Sequence, residues 1–342
     1  MGDVLMSHPA MRALKQSKSG RDITLLTSST GAAIAPYIKE VDAIIPFDVP
    51  WVKTDEINGE QQLLRLVGEL RSRRFDAAVI FTSYSQNPLP AAMLCYQAGI
   101  KTVLGYCREN PYQLITCWVP DREPLDYIIH EVQRQLELVE TVGGITSDIG
   151  LSLQVPEESR QTIRTRLAAL GLATSRPWLV LHSGVSEEKR RYPADQYVTS
   201  CRLLIEHGYN VVLTGSRSER SYVRGIASRL GNGAVNLAGE LSVAELIALI
   251  EAAPVLISNN TGPVHIAAAV HTAVIVLYAK TNPQHTPWKA LSRVLYFEVP
   301  PELRTKNRWL QSFPEVSGTY ASPQAIMTAV NELARHELCE SE

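Results

Sequence analysis

Short apolar runs rich in β-branched residues alternate with amphipathic stretches along the whole chain. In the first half the pattern predicts strands over Ile23–Thr27, Ala43–Phe47, Ala77–Phe81 and Thr102–Leu104, and helices over Val4–Gln16, Gln61–Arg73 and Ala91–Ala98. The second half repeats the rhythm. Strands are expected at Trp178–His182, Asn210–Thr214, Ala234–Leu237, Pro254–Ser258 and Ala273–Tyr278. Helices are expected at Ala194–Glu206, Glu219–Leu230, Val243–Glu251 and Val264–Val270. Ser242-Val243-Ala244-Glu245 and Ser216-Arg217-Ser218-Glu219 both have the spacing of a capping box. Strand–helix alternation of this kind implies α/β architecture with parallel sheets covered on both faces.

The chain has 342 residues, which suits two domains better than one. The join falls near Thr146–Pro156, giving a domain over residues 1–150 and a second over 151–322. A last helix, Pro323 to Glu337, follows a long irregular stretch and is expected to pack back on the first domain. With 45% hydrophobic and 20% charged residues the composition is that of an ordinary globular protein. Net charge is −2, which gives no reason to expect nucleic acid. The first 150 residues carry 14 Lys+Arg against 18 Asp+Glu, a net −4, and the remainder 19 against 17, a net +2. The second half is thus mildly better suited to a nucleoside diphosphate. Five cysteines without a CxxC pair argue against a disulfide framework and a zinc site, and for a reduced, cytoplasmic setting. The chain shows no signal-peptide core and no apolar run long enough to span a bilayer.

The densest local chemistry lies at Ser258-Asn259-Asn260-Thr261-Gly262-Pro263-Val264-His265. An apolar strand precedes it and a small-residue helix follows. Thr261 suits the N-cap, and Pro263 falls in the first turn, where a missing N–H costs nothing. Gly262 lets backbone approach a ligand closely. The N–H groups and positive dipole end of such a helix make an anion site, and His265 is either a second anion contact or a buried core histidine.

This stretch resembles the phosphate-binding motif of the heptosyltransferase-type glycosyltransferases, family nine. Four further segments match in order: Gly2-Asp3-Val4-Leu5-Met6, Leu181-His182-Ser183-Gly184 followed by Arg190-Arg191-Tyr192-Pro193, Val212-Leu213-Thr214-Gly215-Ser216, and Asn236-Leu237-Ala238-Gly239. The resemblance spans nearly the whole chain. It implies the GT-B architecture, two Rossmann-like domains facing across a cleft. It also implies an inverting, metal-independent transferase that takes a nucleotide-diphosphate sugar, such as ADP-heptose, as co-substrate without a further cofactor. The implied acceptor is a lipopolysaccharide core or other lipid-linked surface glycan, which brings the protein to the cytoplasmic face of the inner membrane.

Carried over residue by residue, the resemblance makes Asp3 the general base for the acceptor hydroxyl. The alternative is that Asp3 caps the helix starting near Val4. Ser183 and Gly184 offer backbone donors to phosphate, and Lys189, Arg190 and Arg191 offer cations. Arg190 takes the position of the family's phosphate-contacting lysine by the Pro193 anchor. The same cluster also reads as a solvated charge run. Glu219 is either a ribose contact or a capping glutamate. Asn260 stands where the family commonly has Asp, which puts the donor's sugar and base in doubt. The family also has an apolar strand before Gly-Asp, where this chain has only Met1. Either the native chain starts upstream or a central strand is absent, and Asp3 is then expected to fray and the chain to be weakly active. A basic face of Arg12, Lys15, Lys18 and Arg21 is either an acceptor-side surface or a solvated helix face. No D-x-D, G-x-G-x-x-G or P-loop pattern occurs, which disfavours metal-dependent GT-A transfer, dinucleotide dehydrogenases and P-loop NTPases. Rival readings are a nucleotide-sugar epimerase of the same architecture and an impaired nucleotide-sugar-binding protein.

Overall fold

The computed structural model describes residues 1–52, 59–172, 177–185, 187–279, 283–299 and 318–340. They fall into two compact units, Asp3–Ile149 and Gly150–Glu342.

The first unit runs α1 (Gly2–Met6), α2 (His8–Ser17), β1 (Thr24–Thr27), α3 (Ser29–Ala32), β2 (Ala43–Pro46), α4 (Glu60–Arg73), β3 (Ala77–Ile80), α5 (Leu89–Gln97), β4 (Thr102–Cys107), β5 (Cys117–Pro120) and α6 (Glu131–Glu140). The single helix expected over Val4–Gln16 is two helices. At the break, the Ser7 amide and hydroxyl both donate to the Asp3 carbonyl, at 3.0 and 2.9 Å. Pro9, in the first turn of α2, has no N–H with which to continue the ladder. The strands form two separate parallel sheets, β1-β2 and β3-β4-β5, so β1 and β3 each pair on one side only. Ile45, Leu66, Leu70, Ile80, Leu94, Val103 and Ile115 fill the core between strands and helices.

The basic face expected on the first helix is largely consumed within this unit. Arg12 is 4% exposed and pairs with Glu40 at 3.1 Å and Asp148 at 2.8 Å. Lys15 pairs with Asp42, and Arg21 donates to the Leu14 carbonyl at 2.6 Å. Arg12 therefore serves the fold: a buried guanidinium needs its carboxylates. Among the described residues, Lys18 makes no such bond and is exposed.

The second unit runs α7 (Glu157–Ala169), β6 (Trp178–His182), α8 (Ala194–Glu206), β7 (Asn210–Thr214), α9 (Arg220–Ala227), β8 (Ala234–Asn236), α10 (Val243–Ala252), β9 (Val255–Asn259), α11 (Gly262–Ala269), β10 (Ala273–Ala279) and β11 (Ser292–Phe297). One all-parallel sheet has the order β11-β10-β9-β6-β7-β8. Every residue of β9 and β10 is buried, which is why both read as unbroken apolar runs. The order reverses between β6 and β9, the doubly wound arrangement in which ligands bind outside the carboxyl ends of the strands. The capping box at Ser242 and Glu245 forms as expected.

The closing helix, Pro323–Glu340, packs on α8, β9, β10 and β11. Its expected place on the first domain is corrected by its own stripe. Ile326, Val330 and Leu333 are within 1% of full burial and share one core with Tyr197, Leu204 and Leu277. None of the helices among the described residues is long and apolar enough to cross a membrane.

Candidate functional site

In the second unit the carboxyl ends of β6 and β9 lie side by side, with His182 opposite Ser258 in the register. The chain leaves β6 at Ser183-Gly184 and β9 at Asn260-Thr261, so two loops start together at the switch point. Asn259 joins them. Its amide nitrogen donates to the Ser183 carbonyl at 3.1 Å, and its oxygen accepts the Tyr192 amide at 3.0 Å. Tyr192 is anchored in turn. Its hydroxyl donates to the Ala321 carbonyl at 2.6 Å, and its ring meets Tyr197 and Phe297 edge-on at 5.1 and 5.4 Å. The basic segment Lys189-Arg190-Arg191 is thereby hung beside the loop after β6.

α11 begins at Gly262 with Pro263 in its first turn, as the sequence implies. Thr261 holds the N-cap position in extended backbone, yet its hydroxyl donates to the Asn259 carbonyl at 3.3 Å and caps nothing. The helix start is left without a side-chain cap, which suits an anion. His265 is 3% exposed in this first turn.

Several buried polar atoms at this end of the sheet have no hydrogen-bond partner among the described residues: Ser183 Oγ, Asn260 Oδ1, Arg190 Nε, and Arg191 Nε and Nη1. Buried polar groups are rarely left so, and these atoms are available to water or to a ligand. The Arg191 guanidinium lies 4.0 Å over the Tyr222 ring and pairs with Glu188 at 3.0 Å.

Glu219 precedes α9 and forms one half of the capping box expected with Ser216: its carboxylate accepts the Ser216 amide, while no Ser216 side-chain bond to the Glu219 amide is made. Its carboxylate also ties two loops. It accepts the Val185 amide at 2.7 Å, the Ser216 amide at 2.9 Å and the Ser216 hydroxyl at 2.8 Å. Burial opposes its charge, but the hydrogen bonds from Ser216 and Val185 hold its carboxyl below the ordinary value. Beneath it the buried His182 imidazole is pushed down to about 4 by burial, with Glu219 pulling the other way, and pairs with Thr214 Oγ1 at 3.0 Å. A neutral imidazole thus supports a charged clamp. Gly184 fits only without a side chain: a Cβ there would lie 2.6 Å from His182 Nε2 and closer still to Glu219 Oε2.

In the first unit Asp3 lies in the first turn of α1 and is exposed. It is not the cap, a position Met1 takes, and its carboxylate makes no hydrogen bond or ion pair among the described residues. Behind it, Val4, Leu5 and Met6 of the same helix are buried. On α6, Arg134 and Gln135 donate to the Thr82 carbonyl past the end of β3, and Glu131 accepts from the Gln135 amide. The sequence reading missed this group and Asn259. Asn259 was visible as a polar residue ending an apolar strand; Glu131 carried no signal beyond helix periodicity.

Residues 63–308 match the family described as glycosyltransferase family 9 (heptosyltransferase). Lipopolysaccharide heptosyltransferase 2 of Escherichia coli strain K12 is 26% identical over 300 residues, covering 84% of this chain and 82% of that protein. Lipooligosaccharide heptosyltransferase 2 of Haemophilus influenzae is 26% identical over 302 residues, covering 84% and 83%. Among solved structures, a glycosyl transferase family 9 protein from Veillonella parvula DSM 2008 has a TM-score of 0.77 at 18% identity, over 98% of this chain and 94% of that one. The E. coli ADP-heptose LPS heptosyltransferase II has a TM-score of 0.72 at 22% identity, over 97% and 95%. The fold of this chain is theirs, GT-B, with its two Rossmann-like α/β units.

Proposed function

Since this chain belongs to glycosyltransferase family 9, we propose that it moves a heptose from ADP-heptose onto a lipopolysaccharide-core acceptor, with inversion and without a metal. Donor and acceptor follow the names of the relatives. The observation that carries the reading is the cluster of buried polar atoms without partners around Ser183, Asn260, Arg190 and Arg191, next to the uncapped start of α11.

The acceptor oxygen attacks the anomeric carbon while the bond from that carbon to the diphosphate oxygen breaks. The hydroxyl proton passes to the Asp3 carboxylate. The bonding pair leaves with the diphosphate, where Arg190, Arg191, the Ser183-Gly184 backbone and the Thr261-Gly262 helix start meet the new charge. A single displacement inverts the anomeric centre, through a transition state with oxocarbenium character. The cations on hand let the diphosphate leave without a metal ion. His265 lies in the same first turn as an anion contact. Lys189 belongs to the cation cluster, and Asn260 meets the donor's sugar or ribose. Glu219 holds the two loops with three hydrogen bonds and keeps acceptor capacity on Oε1 for a ribose hydroxyl. The protein works in the cytoplasm, at the inner membrane surface where a lipid-linked acceptor is presented.

Thermal denaturation with ADP, UDP, GDP and dTDP tests the donor site. A ligand at 100 times its dissociation constant stabilises by about 2.7 kcal/mol, so ADP should raise the midpoint most. Arg190→Ala should raise the ADP dissociation constant about 10- to 100-fold, as expected for loss of a charge-assisted contact of about 1.5–3 kcal/mol. Arg191→Ala should do less, because its guanidinium is shared with Glu188 and Tyr222. Negligible effects from both would return the cluster to a solvated face. An isomerised donor without acceptor would favour the epimerase reading.

A further inference from the structure

Asn259 closes β9, one residue beyond the point where β9 and β6 stop pairing, and it is fully buried. Its side chain bonds both ends of one segment. The amide nitrogen donates to the Ser183 carbonyl at 3.1 Å, where the chain leaves β6, and lies 3.5 Å from the Gly184 carbonyl. The amide oxygen accepts the Tyr192 N–H at 3.0 Å, just ahead of α8. Between these two ends lie Arg190 and Arg191. The partners fix which way the amide points, since a carbonyl can only accept and an N–H can only donate. The far end is anchored a second time by the Tyr192 hydroxyl on the Ala321 carbonyl, at 2.6 Å. The main-chain carbonyl of Asn259 accepts the Thr261 hydroxyl at 3.3 Å, so the same residue also steadies the turn into α11.

We propose that Asn259 is a positioning residue of the donor site: its amide clasps residues 183–192 at their base and so sets where Arg190 and Arg191 stand relative to the start of α11. That this serves a diphosphate rests on the proposed donor site. The clasp needs one donor and one acceptor on a short side chain, which an amide supplies; a carboxylate has no N–H, and leucine has neither group. A segment held at both ends has little freedom left to lose when a ligand orders it, whereas a segment held at one end loses more on binding. The bonds are buried, so cutting them leaves the Ser183 carbonyl and the Tyr192 N–H without partners and pushes the two ends apart. Asn259 thus acts through the segments that meet the phosphates.

Isothermal titration with ADP on the full chain, Asn259→Leu, Arg190→Ala and the double variant tests this. Asn259→Leu should raise the ADP dissociation constant about 10- to 100-fold, as expected when two buried bonds are cut. In the Arg190→Ala background the same substitution should raise it by a clearly smaller factor, because the cation it places is gone. A substitution that merely loosened the fold would act equally in both backgrounds, so equal factors, or unchanged ADP affinity, would overturn the proposal. Hydrogen exchange without nucleotide follows the clasp itself. Peptides covering residues 183–192 should exchange faster in Asn259→Leu, while those of β10 keep the parent's rate. Parent-like exchange over 183–192 would contradict the clasp. If Asn259→Leu does not fold, Asn259→Asp replaces it: the carboxylate still accepts the Tyr192 N–H but offers the Ser183 carbonyl no donor. That variant should speed exchange at 183–185 more than at 190–192 and weaken ADP binding, and parent-like behaviour in either measurement counts against the proposal. A parent chain that binds none of ADP, UDP, GDP and dTDP would sink the donor site, and the exchange data would still decide whether Asn259 clasps the segment.

Discussion

Asp3→Asn is expected to leave ADP affinity unchanged while slowing turnover by about 10²–10⁴-fold, the usual contribution of a placed general base. The substitution keeps the size of the side chain and the α1 turn, and removes only the capacity to take a proton. Two features of α1 bear on how the substitution would act. The carboxylate is exposed and makes no bond to the protein among the described residues, so no structural role is lost with its charge. The turn that bears it is tied down by Ser7 and by the buried Val4, Leu5 and Met6. The effect should fall on kcat and not on the donor's KM, since the interaction is made only as the proton moves. Turnover within a few-fold of the parent would mean that another group is the base.

Gly184→Ala should weaken donor binding at least tenfold, about 1.4 kcal/mol. Its Cβ would lie 2.6 Å from the buried His182 Nε2 and inside contact distance of Glu219 Oε2. Neither neighbour can yield cheaply. His182 is packed under the sheet end and bonded to Thr214, and Glu219 holds Val185 and Ser216. The loop must shift, carrying Ser183 and Val185 with it. Isothermal titration with ADP on a variant whose melting shows it folded reads this directly. Unchanged affinity would remove the loop after β6 from the donor site.

Much of this was legible because the chemistry sits where local rules are strong. The central second-unit strands are apolar on both faces, so their limits could be read almost to the residue, with β6, β7 and α8 on their expected spans, whereas the partly exposed β11 was not expected. Strand β5, four residues ending in proline, gave too little periodicity to be seen, whereas α6 was passed over although Val132, Leu136 and Val139 recur at helical spacing. Side-chain partnership was the least legible layer. Ser216 and Glu219 have capping-box spacing and make one of its two bonds, but the further bond from the three-dimensional neighbour Val185 could not be read from that spacing. Arg12 looked like a surface cation until Glu40 and Asp148, 28 and 136 residues away in sequence, folded against it. Thr261 sits at the N-cap without capping, since its hydroxyl finds the Asn259 carbonyl first. Such pairings depend on tertiary contacts that no window of sequence contains.

The most direct test of the central claim is release of ADP from ADP-heptose by the purified chain, followed with and without a heptose-acceptor lipopolysaccharide core. The account predicts ADP release that requires the acceptor, accompanied by a heptosylated product of inverted anomeric configuration. ADP-heptose that binds yet is neither cleaved nor transferred when the acceptor is present, or a donor merely isomerised, would contradict it.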